Sequence, residues 1–529
     1  MGFIKRSTLR PRRRLLAWTL CLTLTVLCCL SPAAEATNVG TSLTVGIQST
    51  KTTTISPLYP LERDMMSIYG LVYESLVTID DDYLPAPGLA ESWEMSSAGK
   101  TWTFHLRENV TFSDGTPLTA NDVVATAQHI LDRAQDEYAD DKGYYRNLTY
   151  FISSISASDD YTVVVKSKRS YWGLLYAMTF PILPADRVQA DNPPGTGAYV
   201  IENFMPGDYI YLRANPNWWQ NQPKVQEITV ICHTNDKDVI ESYEYARVDT
   251  IFTRSIAAAQ YKSGTSSLAL DYRTNQLETL QMNNDSWELT ENVRKAIRYL
   301  VDPDKLASTV YMGMVNRTDT PMINGTWMYN SNISFEYSLD KAKALLEEDG
   351  WYDMDDDGIL DKLNDKGEAR RLHLSFYVYE EPDNDVRVEV ANMIADQLAP
   401  AGIELGITTV TLTEMTERLS AGSYDLALVA YAMDVCPDPG FMLMRGNTGN
   451  YCRYRSDTMT ELCESLRTQT TQEGYQNVLY QIQQQFADDC PFICLYYRAG
   501  AVLTRKMYTT ARDVRELDLL RGISTFHEE

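Results

Sequence analysis

Apolar positions along this chain switch repeatedly between a helical and a strand period. From Thr119 to Arg133, residues Val123, Val124, Ala127, Ile130 and Leu131 fall on one helical face, and Thr119 with Asp122 three places on predicts a capping box. Tyr199 to Phe204 and Tyr209 to Arg213 read as two strands turned by Pro206, Gly207 and Asp208, and Val225 to Ile231 adds a β-branched run. A small sheet is expected there. Further on, helices are predicted at Glu291 to Leu300, stopped by Asp302 and Pro303, at Asp340 to Glu348, stopped by Gly350, and at Asp385 to Leu398, stopped by Pro400 and Gly402. Strands near 372–379, 403–412 and 425–430 interleave with them, which predicts parallel βαβ units and an α/β class.

The first 36 residues break this alternation. Lys5, Arg6, Arg10, Arg12, Arg13 and Arg14 precede an apolar run from Leu15 to Leu30, and Ala34, Glu35 and Ala36 offer small residues at a cleavage point. This reads as an export signal, with a mature chain starting near Thr37 and a place in the periplasm or on the outer face of the cytoplasmic membrane. Cys28 and Cys29 are the alternative, as sites of a lipid anchor. Without the signal the chain carries 41 basic against 71 acidic residues, a net charge of −30, which argues against a nucleic-acid partner. The length of 529 residues is enough for two or three domains.

Candidate chemistry is sparse. The histidines, His105, His129, His233, His373 and His527, are scattered and none is spaced as a metal-ligand pair. Gly195, Thr196 and Gly197 lack the third glycine of a nucleotide loop and lead into a strand, so they read as a turn. No phosphate loop, zinc motif or nucleophile elbow occurs, and neither a catalytic constellation nor a cofactor is called for. Asp353, Asp355, Asp357 and Asp361, around Gly358, resemble a calcium loop, but the twelfth position is Asn364 where a bidentate Glu is needed. Cys232, Cys436, Cys452, Cys463, Cys490 and Cys494 remain after cleavage. Their even number in an oxidising compartment permits disulfides, with Cys436 to Cys452 the first pairing expected and isolated buried thiols the alternative.

One stretch is more specific. From Lys100 to Val124 the chain reads KTWTFHLRENVTFSDGTPLTANDVV, with Trp102, Phe104 and Leu106 on one strand face, a turn at Ser113, Asp114 and Gly115, and a helix after Pro117. This resembles the signature of the peptide-binding family of extracytoplasmic solute receptors, family 5 of the bacterial extracellular solute-binding proteins. The resemblance continues at YESL (73–76), LAESW (89–93), GTGAYVIENF (195–204), YLRANPNWW (211–219), VRKAIRYLVD (293–302) and SLDKAKALLEEDGW (338–351).

The resemblance implies a type II periplasmic-binding-protein fold, with two lobes, an extra domain and a central ligand cleft. Residues 37–65, 180–275 and 495–529 would form the first lobe, 66–179 its extra domain, and 276–494 the second lobe. It also implies a monomeric receptor that takes short peptides to the permease subunits of an ABC importer, without catalysis. In similar proteins an aspartate following an aromatic residue pairs with the peptide's α-ammonium group. In YDLALVAYAMDVCPDP that places Tyr431 as the aromatic and Asp434 as the acid, although Tyr stands where Trp is usual and the interval to Asp438 is one residue long. A desolvated ammonium needs such a carboxylate. Tyr272 and Asn283 are placed near the cleft by the same resemblance. Receptors for an oligosaccharide or a chelated metal, and a signalling or hydrolytic derivative, remain the alternatives, since fold does not fix ligand.

Overall fold

A computed structural model describes residues 37–38, 41–139, 141–262, 268–364, 366–381, 384–508 and 514–525. The export signal and the cysteines at 28 and 29 lie outside the described residues.

The backbone of the molecule is one sheet of 11 strands. Its order runs Glu404–Val410, His373–Tyr379, Leu426–Ala432, Leu268–Met282, Phe492–Thr504, Thr250–Thr253, Ser42–Gln48, Glu227–His233, Tyr209–Ala214 and Tyr199–Met205, with the short Val315–Arg317 pairing off this path. Two of these strands are far longer than the rest: Leu268–Met282 has 15 residues and Phe492–Thr504 has 13. They pair antiparallel with each other and link the 373–432 strands on one side to the 42–253 strands on the other. At roughly 3.3 Å per residue each is long enough to serve both halves.

The elements expected from periodicity form. Helices span Glu291–Leu300, Leu339–Glu348 and Val386–Leu398, and His373–Tyr379 lies parallel to both Glu404–Val410 and Leu426–Ala432. Val386–Leu398 packs on the first two of these strands, as a βαβ crossover should. Asp302 and Pro303 do more than stop a helix: the Asp302 side chain accepts from the amides of Asp304 and Lys305 and starts another at Pro303–Thr309.

A separate four-stranded antiparallel sheet is built from Ala90–Met95, Thr101–Leu106, Thr162–Ser167 and Ile152–Asp159. Trp102, Phe104 and Leu106 are buried in the same core cluster as Val123, Ala127 and Ile130 of helix Ala120–Gln135, whose start is held by the Thr119 amide donating to Asp122 Oδ2 at 2.8 Å. Gly195 and Gly197 sit in a turn against the backbone of Val72. The Gly197 amide donates to the Val72 carbonyl at 2.9 Å, and a Cβ on Gly195 would lie 2.0 Å from that oxygen. Close backbone approach, not phosphate binding, accounts for both glycines.

The pairing of Cys436 with Cys452 is not formed. All six cysteines of the described residues are free and buried. Cys436 Sγ lies 3.2 Å from the Tyr171 hydroxyl, while Cys452 Sγ donates to Asn450 Oδ1 at 3.4 Å. Each thiol is packed into its own environment, and sequence spacing carried no information on that.

Candidate functional site between the two halves of the sheet

Beside the long strands, the backbone brings a carboxylate to the junction between the halves of the sheet. Leu426–Ala432 runs antiparallel beside Leu268–Met282, with Ala432 opposite Gln276. Past the strand end, the Met433 amide donates to the Asn275 carbonyl at 2.8 Å and the Asn275 side-chain amide donates to the Met433 carbonyl at 3.0 Å. Asp434 follows, fixed at its base and exposed at its tip. Its Oδ2 accepts from the Asn147 side-chain amide at 3.4 Å. Asn147 closes the short 3-10 helix Tyr144–Asn147 beside the four-stranded sheet, so this contact joins segments 287 residues apart.

Tyr144 shares this space. It is 44 % exposed, yet enough protein surrounds its ring that its hydroxyl is pushed up to about 12, with the charge of Asp434 adding to the effect and Arg63 offsetting it. A group that is accessible yet crowded is what a cleft wall presents.

Arg63 leads into a cluster of charges drawn from four segments. Helix Arg63–Tyr69 begins immediately after Glu62, whose carboxylate accepts from the Ser49 and Thr52 hydroxyls at 2.7 Å each and from the amides of Thr50, Lys51 and Thr52. Burial alone would raise the Glu62 carboxyl, but these bonds hold it below its usual range. The helix start and the loop after strand Ser42–Gln48 are thereby fixed to each other. Arg254, just beyond strand Thr250–Thr253, places Nη2 at 2.9 Å from Asp64 Oδ1 and 2.6 Å from Glu516 Oε1, and Arg63 Nη1 lies 3.8 Å from the same Glu516 oxygen. Asp64 and Glu516 are almost wholly buried, with side chains 5 % and 4 % exposed. Burial pushes the Asp64 carboxyl up despite Arg254.

Tyr272, on the long strand, completes the group. Its ring lies over Gly500 on the neighbouring strand, where any Cβ would come within 2.3 Å of it. Its hydroxyl, like Glu516 Oε2 and Arg254 Nε, has no hydrogen-bond partner among the described residues. Tyr272 also lines a cavity of about 630 Å³ with Tyr83, Arg273, Trp327 and Arg515. Arg273 precedes Asn275 by two residues, roughly 7 Å along the strand, so the cavity adjoins the Asp434 junction.

The pattern of the bacterial extracellular solute-binding proteins, family 5 (Middle), matches residues 85–451. The chain belongs to this family. It is 25% identical over 474 residues to the oligopeptide-binding protein AppA of Bacillus subtilis, covering 84% of each chain. To the nickel-binding periplasmic protein of Escherichia coli it is 25% identical over 342 residues, 61% of this chain and 64% of the relative. In fold it resembles the crystal structure of the ABC transporter substrate binding protein CtaP of Listeria monocytogenes, with a TM-score of 0.78 at 20% identity, covering 92% of this chain and 98% of that one. The fold is that of the periplasmic binding proteins. Among the described residues no helix is long and apolar enough to cross a membrane.

In this family 5 protein, the four residues named from the sequence occupy different positions. Asp434 stands at the junction and Tyr272 at the charge cluster. Tyr431 is buried beneath the strand, its ring stacked on Tyr451 at 5.4 Å and its hydroxyl donating to the Gly449 carbonyl at 2.8 Å. Asn283 is buried and donates to the carbonyls of Gly422 and Tyr424, tying the start of strand Leu426–Ala432 in place. Both support the strand that carries Asp434. Arg63, Asp64, Tyr144, Asn147, Arg254 and Glu516 were not singled out by the sequence, because no local pattern marks residues that meet only through the tertiary fold.

The acidic loop brings part of its candidate set together. Carboxylate oxygens of Asp353, Asp355 and Asp357 lie within 4.8 Å of one another, all on exposed side chains. Asp353 accepts from the amides of Asp357 and Gly358, and Asp357 pairs with Arg371. Asp361 stands apart, buried on the short strand Asp361–Leu363 with its backbone bonded to Tyr352. Three of the four acids of the calcium-like pattern thus come together, and Asp361 does not join them.

Proposed function

We propose that this chain is the extracytoplasmic solute-binding component of an ABC importer, and that it captures short peptides between two lobes by pairing their α-ammonium group with Asp434. The lobes would be 37–65 with 180–275 and 495–529, and 276–494, with 66–179 as the extra domain. The observation that carries this reading is the placement of Asp434: an exposed carboxylate, anchored through Met433 and Asn275 to a strand common to both halves, with a side-chain hydrogen bond that reaches across to Asn147. A side chain that bridges two parts of a hinged molecule can exchange that weak 3.4 Å bond for a stronger, charge-assisted one to a ligand. Such a ligand favours the closed arrangement through its differential affinity for it.

The chemistry is capture and release, so the protein acts on no bond of its ligand. It works as an exported monomer that presents the loaded form to permease subunits. The likeness to a peptide-binding relative over 84% of the chain supports the peptide reading.

Asp434→Asn tests this. It removes the charge and leaves an exposed amide of the same shape, so folding is preserved. Loss of a charged hydrogen bond weakens peptide binding by about 1.5–3 kcal/mol, roughly 10- to 150-fold in Kd. Titration calorimetry with trialanine reads it, and an unchanged affinity overturns the assignment.

A further inference from the structure

The loop that carries Asp434 is exposed in its middle and buried at both ends. Asp434 and Val435 are exposed, whereas Met433 before them and Cys436 and Pro437 after them are buried. The Met433 end is held by Asn275 on the long strand. The other end is held from within by Asp438, whose Oδ2 accepts from Arg467 Nε at 2.7 Å, and from outside by Tyr171. Tyr171 lies just beyond strand Thr162–Ser167 of the four-stranded sheet. Its hydroxyl is 3.2 Å from Cys436 Sγ and 3.1 Å from the Tyr475 hydroxyl, which donates to the Pro437 carbonyl at 3.2 Å. Tyr171, Cys436 and Tyr475 are all buried, so water does not compete for these bonds.

Tyr171 is itself fixed on both sides. Its ring stacks on Phe151, next to strand Ile152–Asp159, with centroids 5.5 Å apart. Its neighbour Trp172 donates its amide to the Gln469 carbonyl at 2.7 Å and sets its ring 5.4 Å from Tyr475 and 5.8 Å from Trp327, while Arg169 pairs with Glu464. The segments around the four-stranded sheet therefore meet the Asp434 loop at two points, Asn147 at the acid and Tyr171 two residues further on. A carboxylate on an exposed two-residue stretch keeps one direction only if its flanks are fixed, and a group fixed beforehand loses less freedom when the ligand arrives.

We infer that Tyr171 is a positioning residue for ligand capture: through Cys436 and Tyr475 it fixes the far end of the loop and so aims Asp434, without touching the ligand. This rests on the peptide reading of Asp434 and adds to it that the body of the four-stranded sheet takes part in recognising the α-ammonium group.

The test is titration calorimetry with trialanine and N-acetyl-trialanine on the wild-type chain and on Tyr171→Phe, which removes only the hydroxyl. Trialanine should bind about three- to tenfold more weakly to the variant, while N-acetyl-trialanine, which brings no charge to Asp434, should change by less than about twofold. An equal loss for both peptides would mean that Tyr171 only stabilises the closed shape, and no loss for either would mean that the loop is aimed without it. Each of these overturns the inference and leaves the Asp434 reading intact, whereas equal binding of the two peptides to the wild-type chain overturns both. Tyr475→Phe, which also removes the bond to Pro437, should separate the two peptides in the same way, and it decides the question if Tyr171→Phe does not fold.

Discussion

Two charge clusters lie along the strand Leu268–Met282, each of two acids and two guanidinium groups, and one buried acid in each is shifted, in opposite directions. Towards one end, Glu278 is buried with Oε1 accepting from Arg387 Nη2 at 2.8 Å and Arg498 Nε at 2.6 Å, while Glu381 Oε1 lies 3.0 Å from Arg498 Nη2 and 3.4 Å from Arg387 Nε. Two acids face two guanidinium groups. Burial alone would raise the Glu278 carboxyl, but Arg387 and Arg498 hold it below its usual range. Towards the other end, around Tyr272, Arg254 is shared between Asp64 and Glu516, and the Asp64 carboxyl is pushed up by burial in spite of it. The first cluster ties both long strands, through Glu278 and Arg498, to helix Val386–Leu398 through Arg387. The second borders a junction between the halves of the sheet. Among the described residues the first leaves only Arg387 Nε without a hydrogen-bond partner, whereas the second leaves Asp64 Oδ1, Glu516 Oε2, Arg254 Nε and Arg63 Nη1, so the first is the more rigid frame.

Removing one charge from the first cluster should do the most damage. Glu278→Gln leaves two guanidinium groups facing Glu381 alone and is expected to cost about 3–5 kcal/mol of stability, read by urea unfolding. It should leave peptide affinity unchanged, and a shift in that affinity would erase the distinction between the clusters. The pH dependence follows from the same bonds. A carboxyl with a depressed folded pKa contributes stability that is present above its unfolded pKa, near 4.3 for Glu, and lost as pH falls through the folded value. Wild-type stability should therefore fall more steeply below about pH 4 than that of Glu278→Gln.

The Asp434→Asn effect on affinity described above comes next. A smaller effect is expected at Glu62, which organises the approach to Arg63 and Asp64. Glu62→Gln removes the charge that draws in donors from Ser49, Thr50, Lys51 and Thr52 and should cost about 1–3 kcal/mol. Faster hydrogen exchange at the amides of Thr50, Lys51 and Thr52 would report it. If those amides stay protected, the loop is held by something other than Glu62.

What could be read from the sequence was whatever a short window contains. The Thr119 to Asp122 capping box, the helix Glu291–Leu300 and the parallel strands around 373–432 depend on neighbours within a few residues, or on a strand, helix and strand in succession. Asp434 was reached by resemblance, because the strand that carries it has a characteristic sequence. Tyr431 and Asn283 came with it, and their side chains are spent on Gly449, Gly422 and Tyr424 in the packing of that strand. The charge cluster was out of reach for a physical reason. Arg63, Asp64, Arg254 and Glu516 meet only because the chain passes between the two halves and returns, and each is unremarkable among its sequence neighbours. The cysteines show the same limit, since Cys436 lies against Tyr171, 265 residues away in sequence.

The most direct test compares trialanine with N-acetyl-trialanine by titration calorimetry on the wild-type chain. The two ligands have the same length and side chains and differ in the charge on the first nitrogen. If Asp434 grips an α-ammonium group, acetylation should weaken binding by roughly 10-fold or more. Equal affinity for the two peptides would contradict the account.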